Sequence, residues 1–326
     1  MSNHTDIYPF FPITGLPEYI NFQWTFQFFT GFLIISAIYS IPPVILLFLM
    51  TWKFFKNSKK FCEKIQFEIF ASFLIMQHIS VIVIIFEFLT SRIPNTGLVT
   101  AYCAYSNPTV LLSLINFGLY ASVHSKNYVT VVFCLLRVVL MYSRGNHDKN
   151  RIRYVFYSIP FLIILSIFLA SPRIFTTNSC AQLGYPFPFG AIMVVTYISD
   201  KPLYRYIEDA NIPLVALSLI ILTILMFVKL RERKKLSSSL NRKYDSKAEK
   251  TLSVTMLIIL LPIIMTQCLI LAQGSGIHMF IVVVLRPMFT DARVHVVTCY
   301  FYWTHPVFQK KKIVMKRIES CKDSDK

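Results

Sequence analysis

The chain of 326 residues is 55% apolar and only 15% charged, where an ordinary soluble domain carries about 25% charged residues, so a soluble globule is excluded. Its 29 Phe and 17 Tyr exclude a disordered chain, and 9 Gly without a Gly-x-y period exclude a collagen-like rod. A net charge of +17 from 33 Lys and Arg leaves a phosphate backbone or a membrane as the partner, and the placement of those residues decides between them.

In chain order, residues 1–27 hold no Lys or Arg and no small-residue cleavage site, so no removable signal peptide is expected there. Asn3-His4-Thr5 fits an N-glycosylation acceptor, which is modified only on the lumenal side of a membrane. Uninterrupted apolar stretches then predict spans over 28–50, 67–89, 110–140, 155–171, 212–228 and 252–272, with a last one inside 277–308. Most come near or exceed the roughly 18 residues that mark a spanning helix. None shows the alternation that a barrel strand needs, and in lipid only helices and closed barrels satisfy the backbone. The predicted fold is an all-α membrane protein, a seven-transmembrane helix bundle over 28–308. It follows an extracellular segment, 1–27, and precedes a basic cytoplasmic tail, 309–326.

The stretches 155–171 and 212–228 are short and must recruit flanking residues to fill a bilayer. Pro42-Pro43, Pro160 and Pro262 should bend their helices without ending them. Gly274-Ser275-Gly276 and Arg286-Pro287 interrupt the last stretch, which places the seventh span at 283–306 and leaves an eighth span or re-entrant segment at 277–285 as an alternative.

Lys and Arg number 25 in the connections 51–66, 142–153, 229–250 and 309–326, against 6 in 1–27, 90–108, 172–210 and 273–293. By the positive-inside rule the amino terminus is outside and the carboxy terminus cytoplasmic. The charge is thus a topology signal, with membrane lipids as partners and no nucleic acid.

The seven cysteines include no Cys-x-x-Cys pair and no Cys/His zinc spacing, so neither metal nor cofactor is expected. Only Cys103 and Cys180 fall on the outer side, where a disulfide persists. A bridge would tie the loop after the fourth span to the top of the third, and two unpaired thiols are the alternative. Cys62, Cys134, Cys268, Cys299 and Cys321 read as buried small apolar groups or cytoplasmic thiols. No Gly-x-Ser-x-Gly, His-Glu-x-x-His or phosphate-cradling glycine loop is present, and no enzyme is expected.

Seven spans with this topology and cysteine placement resemble the G-protein-coupled receptor architecture. The run Cys180-Ala181-Gln182-Leu183-Gly184-Tyr185-Pro186-Phe187-Pro188-Phe189-Gly190-Ala191-Ile192 resembles the second outer loop of the nematode serpentine chemoreceptors of class U. Shorter matching pieces are Arg92-Ile93-Pro94, Thr96-Gly97-Leu98, Leu135-Leu136-Arg137, Leu285-Arg286-Pro287 and Thr304-His305-Pro306-Val307-Phe308. The resemblance implies a chemosensory receptor, multi-pass in the plasma or ciliary membrane of a sensory neuron, that binds a small chemical from outside and signals to a heterotrimeric G protein. The chain departs from the rhodopsin-like pattern at Arg137, which follows Leu136 where an acidic residue is usual, at Val138 where a Tyr is expected, and at Thr304-His305-Pro306 where an Asn-Pro pair is expected. Cys103 precedes Arg137 by 34 residues. That is about 51 Å of helix, too long for a 30 Å core, so Cys103 is expected in the loop before the third span.

A ligand-gated channel or a transporter is the alternative reading. A channel of the insect odorant-receptor type would carry its amino terminus inside, and a transporter would show two mutually repeating halves.

Polar residues inside spans are costly and therefore informative. Gln77 and His78 in the second span, with His124, Lys126 and Asn127 in the third, are candidates to line a ligand pocket, Lys126 favouring a carboxylate or chloride. The structural alternative has Lys126 snorkelling or bonding backbone carbonyls. Glu87, Arg286, Asp291 and Arg293 are candidates for an ion-paired outer rim. For G-protein coupling the candidates are Arg137, at the inner mouth of the third span, and Arg231, Arg233, Lys234 and Lys235 beyond the fifth, where contact with acidic lipids is the alternative.

Overall fold

A computed structural model describes residues 10–56, 67–142, 148–197, 202–236, 243–274, 279–305 and 308. Long helices form α1 (Phe28–Lys56), α2 (Phe67–Glu87), α3 (Thr109–Tyr142), α4 (Asp148–Ala170), α5 (Pro202–Leu236), α6 (Lys243–Gly274) and α7 (Met279–Thr304). Of these, α1 to α5 are long and apolar enough to cross a membrane by length and composition. α6 contains the apolar stretch 252–272, and α7 carries Arg286, Asp291 and Arg293. Large apolar side chains such as Ile35, Ile38, Phe48 and Phe161 point outward, as lipid in place of water allows. Both short predicted spans recruit their flanks, since α4 starts at Asp148 and α5 runs from Pro202 to Leu236. The last segment is one helix from Met279 through Pro287, so the predicted start at 283 moves back by a turn and 279–285 belongs to α7.

Proline sets two breaks at one end of the bundle. Pro94 has no N–H to bond four residues back, so α2 continues through a wider turn at Phe88–Arg92 in which the Ile93 N–H bonds the Phe88 carbonyl. At Asn107-Pro108, Asn107 takes the left-handed conformation (φ 39°), which Asn tolerates, and the following proline disfavours a right-handed helical one. The short helix Thr100–Ser106 ends there and α3 begins anew. Cys103 therefore lies outside the long third helix, as the length argument requires.

Over that end sits a three-stranded antiparallel sheet ordered β1-β2-β3, formed by β1 (Phe10–Pro12), β2 (Thr177–Leu183) and β3 (Ile192–Tyr197). Cys180 on β2 is disulfide-bonded to Cys103, with Cα atoms 6.1 Å apart, among buried Ile13, Tyr19, Leu112 and Ile192. Asn178 donates to Ser113 Oγ at 2.8 Å and accepts from Asn116 Nδ2 at 2.9 Å, fastening β2 to α3. The Gln182 side chain clamps the β2–β3 loop, donating to the Leu183 and Pro188 carbonyls and accepting the Gly190 N–H at 3.0 Å. Gly190 has φ +88°, and a Cβ there would overlap the Phe22 ring. These contacts account for Gly190 and Gln182 in the run from Cys180 to Ile192.

The opposite end is apolar and aromatic. Phe73 stacks on Phe301 at 4.3 Å between ring centres, with Phe70 and Phe133 alongside.

On the cap side, α2 and α3 approach closely at Gly118, where a Cβ would overlap the Phe86 ring. Gly118→Ala is expected to cost about 1–3 kcal/mol by overpacking. Gly31→Ala in α1 meets nothing within 4 Å and should gain up to about 1 kcal/mol from helix propensity. Melting of the two variants in detergent checks the pair, and equal midpoints would contradict this packing.

Candidate functional site

The polar interior lies between the cap and the aromatic end, and it is built from α1, α2, α3 and α7. Among the described residues the buried charged side chains are Arg92, Lys126, Arg137, Arg173, Asp291 and Arg293. Asp291, the single carboxylate in that group, is the hub. Arg92 donates to both of its oxygens, at 2.8 and 2.7 Å, and the Tyr39 hydroxyl donates to one of them. The wide turn at the end of α2 carries Arg92 to this position, with its guanidinium 4.5 Å over the Phe88 ring. Glu87 Oε2 lies 3.6 Å from Arg92 Nη2 and accepts no hydrogen bond. Beside the hub, His295 Nε2 is 3.3 Å from Ser40 Oγ, and its ring meets Tyr39 edge-on.

The four candidates for an ion-paired rim, Glu87, Arg286, Asp291 and Arg293, have different partners, and Glu87 and Asp291 both face Arg92. Asp291 pairs with Arg92, a residue that sequence reasoning assigned to the connection after the second span. Arg293 lies deeper, buried, and donates to Thr130 Oγ1 on α3. Arg286 is exposed on α7, within Coulombic range of Glu87 and Lys126.

The pocket candidates face different neighbours. Gln77 Oε1 accepts from Thr298 on α7 at 3.4 Å, whereas His78 turns to α1, with Nε2 3.5 Å from Thr51 Oγ1 and its ring edge-on to Phe48. His124 turns to α5, where Asn211 Nδ2 lies 2.9 Å from its Nδ1 and the Tyr128 hydroxyl donates to Asn211 at 3.1 Å. Asn127 is half-buried. Lys126 is only 7% exposed, within Coulombic range of Arg293 and Glu87. Tyr39, Arg92, Thr130, Asn211 and His295 complete this interior and were not among the sequence candidates. Only Arg92 carried a signal, in Arg92-Ile93-Pro94.

Toward the aromatic end Arg137 is 1% exposed, near Cys134 and His305. His305 stacks on Phe301 at 4.8 Å, and Phe308 folds back against Phe70 and Tyr302. Arg137 is thus enclosed by the bundle. On α5, Lys229 pairs with Glu232 at 2.6 Å and lies over the Tyr142 ring of α3, and Arg231 is exposed. Arg233, Lys234 and Lys235 continue α5, but their side chains lie outside the described residues, as do Asn3 and the tail 309–326.

Two comparisons bear on this arrangement. Residues 13–311 match the family described as serpentine type seven-transmembrane GPCR chemoreceptor Sru. Serpentine receptor class U-26 of Caenorhabditis elegans is 24% identical over 253 residues, covering 74% of this chain and 84% of the relative.

Proposed function

Because this chain belongs to the Sru family of serpentine seven-transmembrane chemoreceptors, we propose that it takes a small chemical ligand into the bundle from the cap side and passes a change of helix packing to a heterotrimeric G protein. The observation that supports this most is the set of charged side chains buried at bundle depth beneath a fastened cap. Such groups are expensive in a membrane-spanning bundle and mark ligand or ion sites. In this reading Lys126, His124, Asn127 and Gln77 face the ligand and His78 holds α1. The cap faces outward at the plasma membrane of a sensory neuron or its cilium, with Asn3 glycosylated. The bias of 25 basic residues to 6 supports that orientation, as does a disulfide that persists only in an oxidising compartment.

Signalling requires the ligand to favour one packing over another. Moving a 1:99 equilibrium to 99:1 takes about 5.5 kcal/mol of differential affinity. The proposed moving parts are α6 around Pro262 and the end of α3 at Arg137. Since Arg137 is enclosed in this packing, activation uncovers it to the G protein beside Arg231, Arg233, Lys234 and Lys235, which also meet acidic lipid at about 1 kcal/mol per residue.

The test is a cell line carrying an epitope tag at each end, with a G-protein readout during a screen of volatile and water-soluble compounds. The expected result is an accessible amino tag, a hidden carboxy tag, and a response that Arg137→Ala abolishes at unchanged surface level. An exposed carboxy tag would overturn the orientation, and a ligand-evoked current that persists without G protein would overturn the coupling.

A further inference from the structure

We infer that the interior between α3 and α7 is a seat for one compact monovalent anion, held by Lys126 and Arg293 and supplied as a ligand's carboxylate or as a free halide; this deepens the receptor reading by naming the chemistry its interior takes. Arg92, Lys126 and Arg293 are buried cations, and Asp291 and Glu87 are the carboxylates that face them. Asp291 is saturated, with both oxygens bonded by Arg92 and one also by Tyr39. Glu87 answers one further charge and is shared between Arg92 and Lys126. One buried positive charge is left over, and exposed Arg286 on α7 adds the same sign.

The hydrogen-bond accounting points to the same place. Arg293 meets a neutral hydroxyl, Thr130 Oγ1, and that hydroxyl is already donated to the Lys126 carbonyl at 2.6 Å. The Lys126 ammonium has three N–H donors and no acceptor among the described residues, although the residue is only 7% exposed. Thr130 lies one turn along α3 from Lys126, so both cations belong to one locus. A single negative charge there closes the imbalance and accepts the free donors, whereas a divalent anion would overshoot it. Burial limits the occupant to a few atoms or to the carboxylate end of a larger molecule.

The experiment uses the purified full-length protein in lipid nanodiscs at fixed sodium, with gluconate replaced stepwise by chloride or by acetate. Chloride or acetate is expected to raise the melting midpoint by about 5 °C over gluconate when the site is saturated. Lys126→Met abolishes that rise and Lys126→Arg, which keeps the charge, retains it. Should Lys126→Met not fold, Arg293→Gln carries the same test. A rise with acetate alone assigns the seat to a carboxylate ligand, and one with chloride alone to a free halide. A midpoint independent of the anion in the unmodified protein, or a rise that survives both neutralising variants, overturns the inference. The readout needs no G protein, so its failure leaves the cellular test of the receptor reading standing, and failure there leaves anion binding measurable.

Discussion

Asp291→Asn is expected to destabilise the protein by about 3–5 kcal/mol, because it leaves the Arg92 guanidinium buried with its charge unanswered. Arg92 is 4% exposed and is fixed by the wide turn at Phe88–Arg92 and by stacking on Phe88, so it has no short route to solvent. Glu87 at 3.6 Å offers partial compensation, which places the cost toward the lower end of the range. Tyr39 and Arg92 must then share the one remaining side-chain oxygen. Removing both ends of the pair has a different consequence, since an ion pair replaced by apolar groups of similar volume is often near neutral. Arg92→Met combined with Asp291→Leu is therefore expected to recover most of the loss, and the four-membered mutant cycle isolates the coupling between the two sites. Nanodisc melting and the surface-expressed fraction are the measurements. A wild-type midpoint for Asp291→Asn would show that the pair contributes little to the packing of α2 against α7.

The same pair shows why the spans were legible in the sequence while the site was only partly so. A window of about 18 apolar residues reports a span whatever its neighbours are, and this identifies the first six long helices from composition, whereas the interrupted seventh is placed a turn late. Ends and facings depend on partners. The second span was expected to stop at 89, yet the helical path continues to Asn95 because Arg92 finds Asp291, 199 residues away in sequence. Gln77 and His78 are adjacent at equal depth, but about 100° of helical rotation separates them. One meets Thr298 on α7 and the other Thr51 on α1. Nothing local to the second span says which of those directions is interior. The cap was hidden for a related reason. In β2 the four residues Cys180 to Leu183 are all buried, so the alternation that marks a half-exposed strand is missing, and its partner β1 lies near the amino terminus.

Cys180→Ser is expected to loosen the cap by about 3 kcal/mol while leaving the helices in place. A bond between residues 77 apart would, for a freely jointed chain, constrain the open state by about 4 kcal/mol or more. Here α3 and α4 occupy most of that interval, and as antiparallel membrane spans they hold their cap-side ends together whether or not the bond exists. The loop actually closed consists of the connecting segments alone, Cys103 to the start of α3 and the end of α4 to Cys180. A loop of some fifteen residues gives about 3 kcal/mol. The bonds of Asn178 to Ser113 and Asn116 remain, so the cap should open more often without detaching. Hydrogen exchange on the protein in nanodiscs separates these cases. Amides of β2 and β3 should exchange about a hundredfold faster in Cys180→Ser, since each factor of ten is worth about 1.4 kcal/mol, with α3 and α4 unchanged. Cys103→Ser and the double variant should match the single one, because one bond is lost in each. Unchanged exchange in β2 would mean that the Asn178 network and the buried contacts of Ile13, Tyr19 and Ile192 close the cap without the disulfide. Faster exchange throughout α3 would mean instead that the bond supports the bundle as well as its cover.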